Sequence, residues 1–291
     1  MNPKTKRQLI GAIAASVVGL PGYLAHAAGE PGAAPATATP GASTPATKSG
    51  TARAEARYFA RASKLIGSEV RNPQDEKLGK IEDLIVDIQG RVAHYAILSF
   101  GGIAGIGDKL FAYPVPMLRR SADKDELVLD IDKARLEQAP GFESNNWPDW
   151  GSDAYRRGVD KYFGVDRGEK AGAQSRLMRA SKLIGMDVED NQKRNVGEIE
   201  DVIVSLADGR VPFVVLDFDK AWSPDDKLLP LSPASLKFPT ADKDKIVLAE
   251  SRDKLEMKYG FDDDKWPDFN DPAYQRERAS LYRETERGTR R

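Results

Sequence analysis

Apolar and polar positions are patterned most regularly in two neighbouring runs. Ile81 to Ile88 and Val92 to Phe100 are short, rich in β-branched residues and joined at Gln89-Gly90, which predicts a strand hairpin. Later in the chain the same place holds Asp208-Gly209, a dipeptide favoured where a tight turn needs positive φ. Leu65 to Val70 predicts a first strand, and Leu110 to Leu118 with Leu127 to Ile131 predicts a second pair across the polar Asp123-Lys124-Asp125-Glu126. Pro114 and Pro116 donate no ladder hydrogen bond, so that strand belongs at an edge or a bulge. Asp132 to Ala139 reads as a short helix ended by Pro140-Gly141. Five or six short strands in about 75 residues favour a small closed barrel, because closure removes exposed edges.

The pattern occurs twice. Arg61-Ala62-Ser63-Lys64-Leu65-Ile66-Gly67 recurs unchanged as Arg179-Ala180-Ser181-Lys182-Leu183-Ile184-Gly185, and 13 of the 23 positions from 61 to 83 match those 118 further on. Unrelated segments would share roughly one or two, so the chain contains a duplication. Gly79, Ile81, Glu82 and Asp83 meet Gly197, Ile199, Glu200 and Asp201; Gly90-Arg91-Val92 meets Gly209-Arg210-Val211. Ala122 to Asp125 meets Ala241 to Asp244, and Gly141-Phe142 with Trp147-Pro148-Asp149 meets Gly260-Phe261 with Trp266-Pro267-Asp268. The expected fold class is mainly β: two tandem small barrels, each with a short helical and aromatic C-terminal extension.

The two ends of the chain change the picture. Lys4, Lys6 and Arg7 precede an apolar run from Leu9 to Leu20, then Pro21-Gly22 and Ala25-His26-Ala27, the layout of a secretory signal peptide. Cleavage after Ala27 is expected, and its loss of three basic residues takes the net charge from −1 to −4. An uncleaved run from Leu9 to Ala28 is the alternative, and it would serve as a membrane anchor. Residues 28–57 are Ala, Pro, Thr, Gly and Ser with little to bury, so they read as a disordered tether. The remaining expected boundaries are 58–150 for the first domain, 151–175 for a linker, 176–275 for the second domain and 276–291 for a charged tail. An exported chain with no cysteine fits the bacterial periplasm better than a disulfide-bearing eukaryotic route.

Charge and chemistry narrow the function. A net charge of −1 supplies no global field for a polyanion, so nucleic acid is not an expected partner, and membrane contact is expected only through an uncleaved signal. The lack of cysteine removes thiolate metal sites and cysteine nucleophiles. After cleavage His94 is the one histidine left for acid–base work, and the second copy offers Pro212 or Phe213 in its place. The run Gly101 to Gly107 lacks the Gly-Lys-Ser/Thr and the spacing of a phosphate loop. Glu82-Asp83 and Glu200-Asp201 are adjacent on a strand and point to opposite faces, so they read as fold determinants that accept hydrogen bonds or pair with a nearby Lys or Arg. Asp262 to Asp271 resembles a calcium loop in composition, without its spacing. No catalytic residue, cofactor or metal ligand is assigned.

These motifs together resemble the PRC-barrel domain family. The resemblance rests on Ser63 to Gly67, Gly79-Lys80-Ile81-Glu82-Asp83 and Asp108-Lys109, and in the second copy on Ser181 to Gly185, Gly197 to Asp201 and Asp226-Lys227. It implies a compact β-barrel serving as an interaction or assembly module, with no chemistry common to the family. Gly67, Gly79, Glu82, Asp83, Gly90, Gly185, Gly197, Glu200, Asp201 and Gly209 are the expected fold determinants. Trp147, Trp150, Trp222, Trp266 and Phe269 are the candidate contacts for a protein partner in the cell envelope, against the alternative that the aromatics fold back over a barrel end. The competing function is a small-ligand binder or enzyme using His94 and nearby carboxylates.

Overall fold

The computed structural model describes residues 58–99, 109–121, 126–166, 176–218, 227–238, 245–255 and 259–278. The signal and tether regions, the Gly101 to Gly107 run, Trp222 and most of the charged tail lie outside these residues.

The first copy runs β1 (Phe59–Arg61), α1 (Ala62–Leu65), β2 (Glu69–Arg71), β3 (Lys77–Asp87), β4 (Val92–Ser99), β5 (Lys109–Pro114), a 3-10 turn Val115–Met117, β6 (Leu118–Arg120), β7 (Leu127–Leu129), α2 (Lys133–Glu137), β8 (Gly141–Glu143) and α3 (Asp153–Phe163). The second runs β9 (Leu177–Arg179), α4 (Ala180–Leu183), β10 (Asp187–Glu189), β11 (Asn195–Ser205), β12 (Phe213–Phe218), β13 (Lys227–Leu231), a 3-10 turn Pro233–Ser235, β14 (Leu236–Lys237), β15 (Ile246–Leu248), a 3-10 turn Arg252–Lys254 and β16 (Phe261–Asp262), with residues 272–278 helical. The strand orders are β6-β7-β2-β3-β4-β5-β8 and β14-β15-β10-β11-β12-β13-β16. In each copy a 3-10 turn leads from β5 into β6, or from β13 into β14, so the two sides of the path are joined by the chain and the sheet curls on itself. The molecule is mainly β and consists of two curled barrels.

Several local expectations shift for physical reasons. The stretch Leu65 to Val70 is not one strand: α1 ends at Leu65, Gly67 turns at φ 87, and β2 begins only at Glu69. Pro114 ends β5 where only β4 pairs with it, on an edge beyond the reach of β8, whereas Pro116 lies inside the 3-10 turn that divides the expected Leu110 to Leu118 strand. Part of the span expected as linker is α3. Ser152 caps it, Gly164 ends it in the left-handed region, and Val159, Phe163 and Arg156 are buried. Its apolar residues stand at i and i+4, a spacing that the many charges between them hide. Tyr95 Oη donates to Asp160 on this helix at 3.0 Å. Among the described residues no helix is long and apolar enough to cross a membrane.

β3 and β11 organise everything else. Each is 11 residues long and is buried on both faces in its second half. Gly79 and Gly197 sit where a neighbouring strand passes closely: a Cβ would lie 2.1 Å from the Ser99 carbonyl oxygen and 1.9 Å from that of Asp217. In β11 and its neighbours, Val202, Val204, Val214, Leu216 and Leu229 belong to a core continuous with that of the first copy. Ile203, Phe213, Val215 and Leu228 take the other face. Burial at about 25 cal/mol per Å2 of apolar surface supplies the driving force, since the chain has no disulfide.

The two copies exchange strands. The first half of β3 pairs with β2, while its last residues, Ile85 to Asp87, pair with β9 of the second copy. Reciprocally, β1 pairs with Ile203 to Ser205 of β11. All these partners keep the separation of 118 residues, so the arrangement is a pseudo-two-fold.

Candidate functional site

The repeated Arg-Ala-Ser segment places its polar groups across the seam between the copies. Arg61 precedes α1 and makes no side-chain cap of its own. The missing acceptor comes from the second copy, where Asp201 Oδ1 accepts the Ser63 backbone N–H at 3.1 Å and Oδ2 accepts Arg61 Nε at 2.7 Å. Ser63 Oγ also donates to Oδ2, and the Val202 N–H donates to Oδ1 at 2.8 Å. The mirror set surrounds Asp83: Arg179 Nε at 2.6 Å, the Ser181 N–H at 3.1 Å, Ser181 Oγ, and the Leu84 N–H at 2.9 Å. Both aspartate side chains are 0% exposed, so each carboxylate spends its lone pairs on four donors, three of them from the other copy.

A bulge aims these aspartates. The register of β3 against β4 shifts between Ile81 and Asp83, and that of β11 against β12 shifts between Ile199 and Asp201. Glu82 and Glu200 are the extra residues, a departure from the regular alternation expected there. Glu82 is exposed. Glu200 is half-buried, and burial raises its carboxyl above the usual range despite Arg61 NH2 at 3.6 Å, while Asp201, Asp263 and Asp217 add to the rise.

Each seam arginine also lies over a tryptophan of the copy it visits. Arg61 Cζ stands 3.3 Å from the Trp266 ring centroid, and Arg179 Cζ stands 3.9 Å from that of Trp147. Phe261 and Phe142, on the edge strands β16 and β8, meet these tryptophans edge-on at 5.0 and 5.1 Å. Trp150 and Phe269 are a correction to the candidate contacts. They are buried at 6% exposure against Tyr95, Phe142 and Tyr155 in one copy, and Phe213, Trp266 and Tyr274 in the other, so their area is spent on internal packing. In the second copy Phe269 thus packs on the sheet face of Ile203, Phe213, Val215 and Leu228, and of the candidate contacts among the described residues Trp147 and Trp266 keep part of their surface in solvent. Phe59 of the exchanged β1 packs into the second of these clusters. Asn270 ties that strand down, accepting the Phe59 N–H at 2.7 Å and donating to its carbonyl at 3.1 Å. The first copy has Gly151 there.

The hairpin tips meet on the pseudo-two-fold axis. Val92 bridges Arg210, and the flanking bonds run from Ala93 N–H to Gly209 at 2.7 Å and from Val211 N–H to Arg91 at 2.9 Å. These pairs show that Arg91, not Gly90, is the counterpart of Gly209. Both have positive φ, 57° and 70°. Matching Gly90 to Gly209 by residue type inserts a one-residue slip that the backbone does not make. Gly90 serves another purpose: Asp87 accepts its N–H at 2.9 Å, and a Cβ would strike that carboxylate at 2.4 Å. Gly185 repeats the turn of Gly67, at φ 82.

The remaining candidates are placed as follows. His94 is the extra residue of a second bulge, between Ala93 opposite Val86 and Tyr95 opposite Ile85, with its ring 6.1 Å from that of Tyr95. Asp262 pairs with Lys227 and Lys265, which hold its carboxyl down at about 2. Asp268 and Asp271 accept the N–H groups of Asn270 and Ala273, both at 2.8 Å. Among the described residues no three carboxylates or histidines gather as a metal site. A further buried acid, Asp190, is bound by Arg194 through Nε at 2.9 Å and NH2 at 2.7 Å, and by the Arg252 N–H at 3.1 Å. Burial alone would raise its carboxyl, but Arg194 and the backbone donors outweigh burial and hold it far below the usual range.

Sequence reasoning passed over Arg61, Ser63, Arg179 and Ser181 as site residues. Their signal was the unchanged recurrence of a polar Arg-x-Ser beside apolar positions. Among curated proteins none matches the chain. The model of the PRC-barrel domain matches residues 59–136 and 176–255, and each match opens on the exchanged strand. With more than half of its length covered in two successive segments, the chain is a member of the PRC-barrel domain family carrying two copies of the domain.

Proposed function

We propose that this chain is an exported, non-catalytic interaction module that holds a protein partner in the cell envelope and acts in assembly or envelope maintenance. The observation that carries this reading is the division of labour in the motifs: Arg61, Ser63, Asp201 and their mates bind each other, while Trp147 and Trp266, partly buried, keep some surface in solvent at two equivalent places. Aromatic groups held rigidly at a surface bury large area on contact at small entropic cost. Replacement of His94 by Pro212 in the second copy supports a role without histidine chemistry.

A photo-crosslinking aromatic residue placed at Trp147 or Trp266 in cells tests the reading. Adducts with a periplasmic protein are expected from these positions and not from the buried Trp150. Equal labelling from Trp150, or no adduct from either exposed site, overturns it, as does a folded His94→Ala variant that loses the cellular role. For export, the mass of the mature chain is expected to begin at Ala28; an intact Met1 terminus favours the anchored alternative.

A further inference from the structure

We propose that the seam between the copies is interchangeable between chains, so that a second copy of this chain is a binding partner through reciprocal exchange of whole repeats. Each repeat carries both halves of the seam. The first holds the donor set Arg61 and Ser63 and the acceptor Asp83; the second holds Arg179 and Ser181 with Asp201. The exchanged strands have matching registers, Phe59 to Arg61 against Ser205 to Ile203 and Leu177 to Arg179 against Asp87 to Ile85. An isologous surface of this kind is satisfied equally by a repeat of its own chain or of another. Two exchanged chains keep every Arg–Asp pair, Ser–Asp bond and Arg–Trp stack of two separate ones. The difference in free energy therefore lies in association entropy, not in contacts.

Chain length sets when exchange occurs. Nine residues, 167–175, separate Asp166 from Arg176, and the ten steps reach at most about 36 Å when extended, so two exchanged bodies must lie side by side. A connection that short gives the cis repeat an effective concentration of order mM, which makes the closed monomer the form in dilute solution. Exchange is the outcome when chains fold together near that concentration, and slow unfolding then holds the dimer on dilution.

The absence of cysteine allows a direct test. Val92 and Arg210 form a non-hydrogen-bonded antiparallel pair, the kind whose side chains approach most closely. Full-length Val92→Cys and full-length Arg210→Cys, carrying different tags, are unfolded together, refolded at about 0.5 mM and oxidised, in parallel with each variant alone. The expected result is a disulfide-linked heterodimer in clear excess over either homodimer, absent when the two folded proteins are mixed without unfolding. A non-covalent dimer of unmodified chain is expected on a sizing column after the same treatment. Only monomer at all concentrations overturns the proposal, and so does a heterodimer no more abundant than the homodimers.

Discussion

Arg61 Nε reaches Asp201 at 2.7 Å across the seam, and each half of the molecule thereby supplies the counter-ion that the other half buries. Removing one partner of such a pair leaves an unpaired buried group, at a cost of about 3 kcal/mol. Arg61→Ala and Arg179→Ala, which leave Asp201 and Asp83 buried without their counter-ions, are therefore expected to lower the urea midpoint by similar amounts. Because the apolar core is continuous through both copies, unfolding should remain a single transition, with near-UV and far-UV signals moving together. Separate transitions for the two halves would contradict a shared core.

The motif glycines divide by what a methyl group would meet. At Gly197 a Cβ falls 1.9 Å from the Asp217 carbonyl oxygen, whereas at Gly67 nothing lies within 4 Å and only the positive φ resists. Gly67→Ala should cost about 1 kcal/mol. Gly197→Ala and Gly79→Ala should cost at least twice that, because backbone must move; equal losses at all three sites in chemical denaturation would refute the close-approach account.

A disulfide across the axis should lock the monomer. Val92→Cys combined with Arg210→Cys in one chain closes a loop of more than 100 residues, for which chain entropy predicts up to about 4.7 kcal/mol of stabilisation. The midpoint of oxidised protein is expected to rise and to return on reduction. No rise would mean that the hairpin tips do not meet.

Two carboxylates should give the stability curve opposite slopes. Asp190 has a folded value below its unfolded value of about 3.9, so its contribution is present above that pH and disappears as pH falls through the folded value. Glu200 is raised, so its charged form weakens the fold near neutrality, and the penalty lifts as pH drops through its raised value toward about 4.3. Melting temperature against pH should then show a shallower acid loss for Arg194→Ala than for the unmodified chain. Glu200→Gln should be the more stable protein at pH 7 and converge with it below pH 4. Parallel curves for all three would contradict both assignments.

Much of this architecture was legible in residue order. The offset of 118, the hairpins and the helix at α2 follow from repetition, alternation and an Asp cap, all local signals. What was hidden is non-local. β1 has three residues, too few for any period, and its partner lies some 140 positions away, so nothing near Phe59 tells that it belongs to the other sheet. The bulge at Glu82 escaped because alternation assumes a regular ladder. Trp150 and Trp147 look alike in the sequence, yet three residues separate a core position from a partly buried one.

A residue on the two-fold axis between identical subunits must confront its own kind, and an arginine there would face an arginine. Joining both halves in one polypeptide removes that restriction: valine stands opposite arginine at the axis, and an asparagine clamps one strand end where the other has only a glycine. One side of the body can therefore specialise while its counterpart goes on closing the scaffold, a freedom that a symmetric dimer of separate chains lacks.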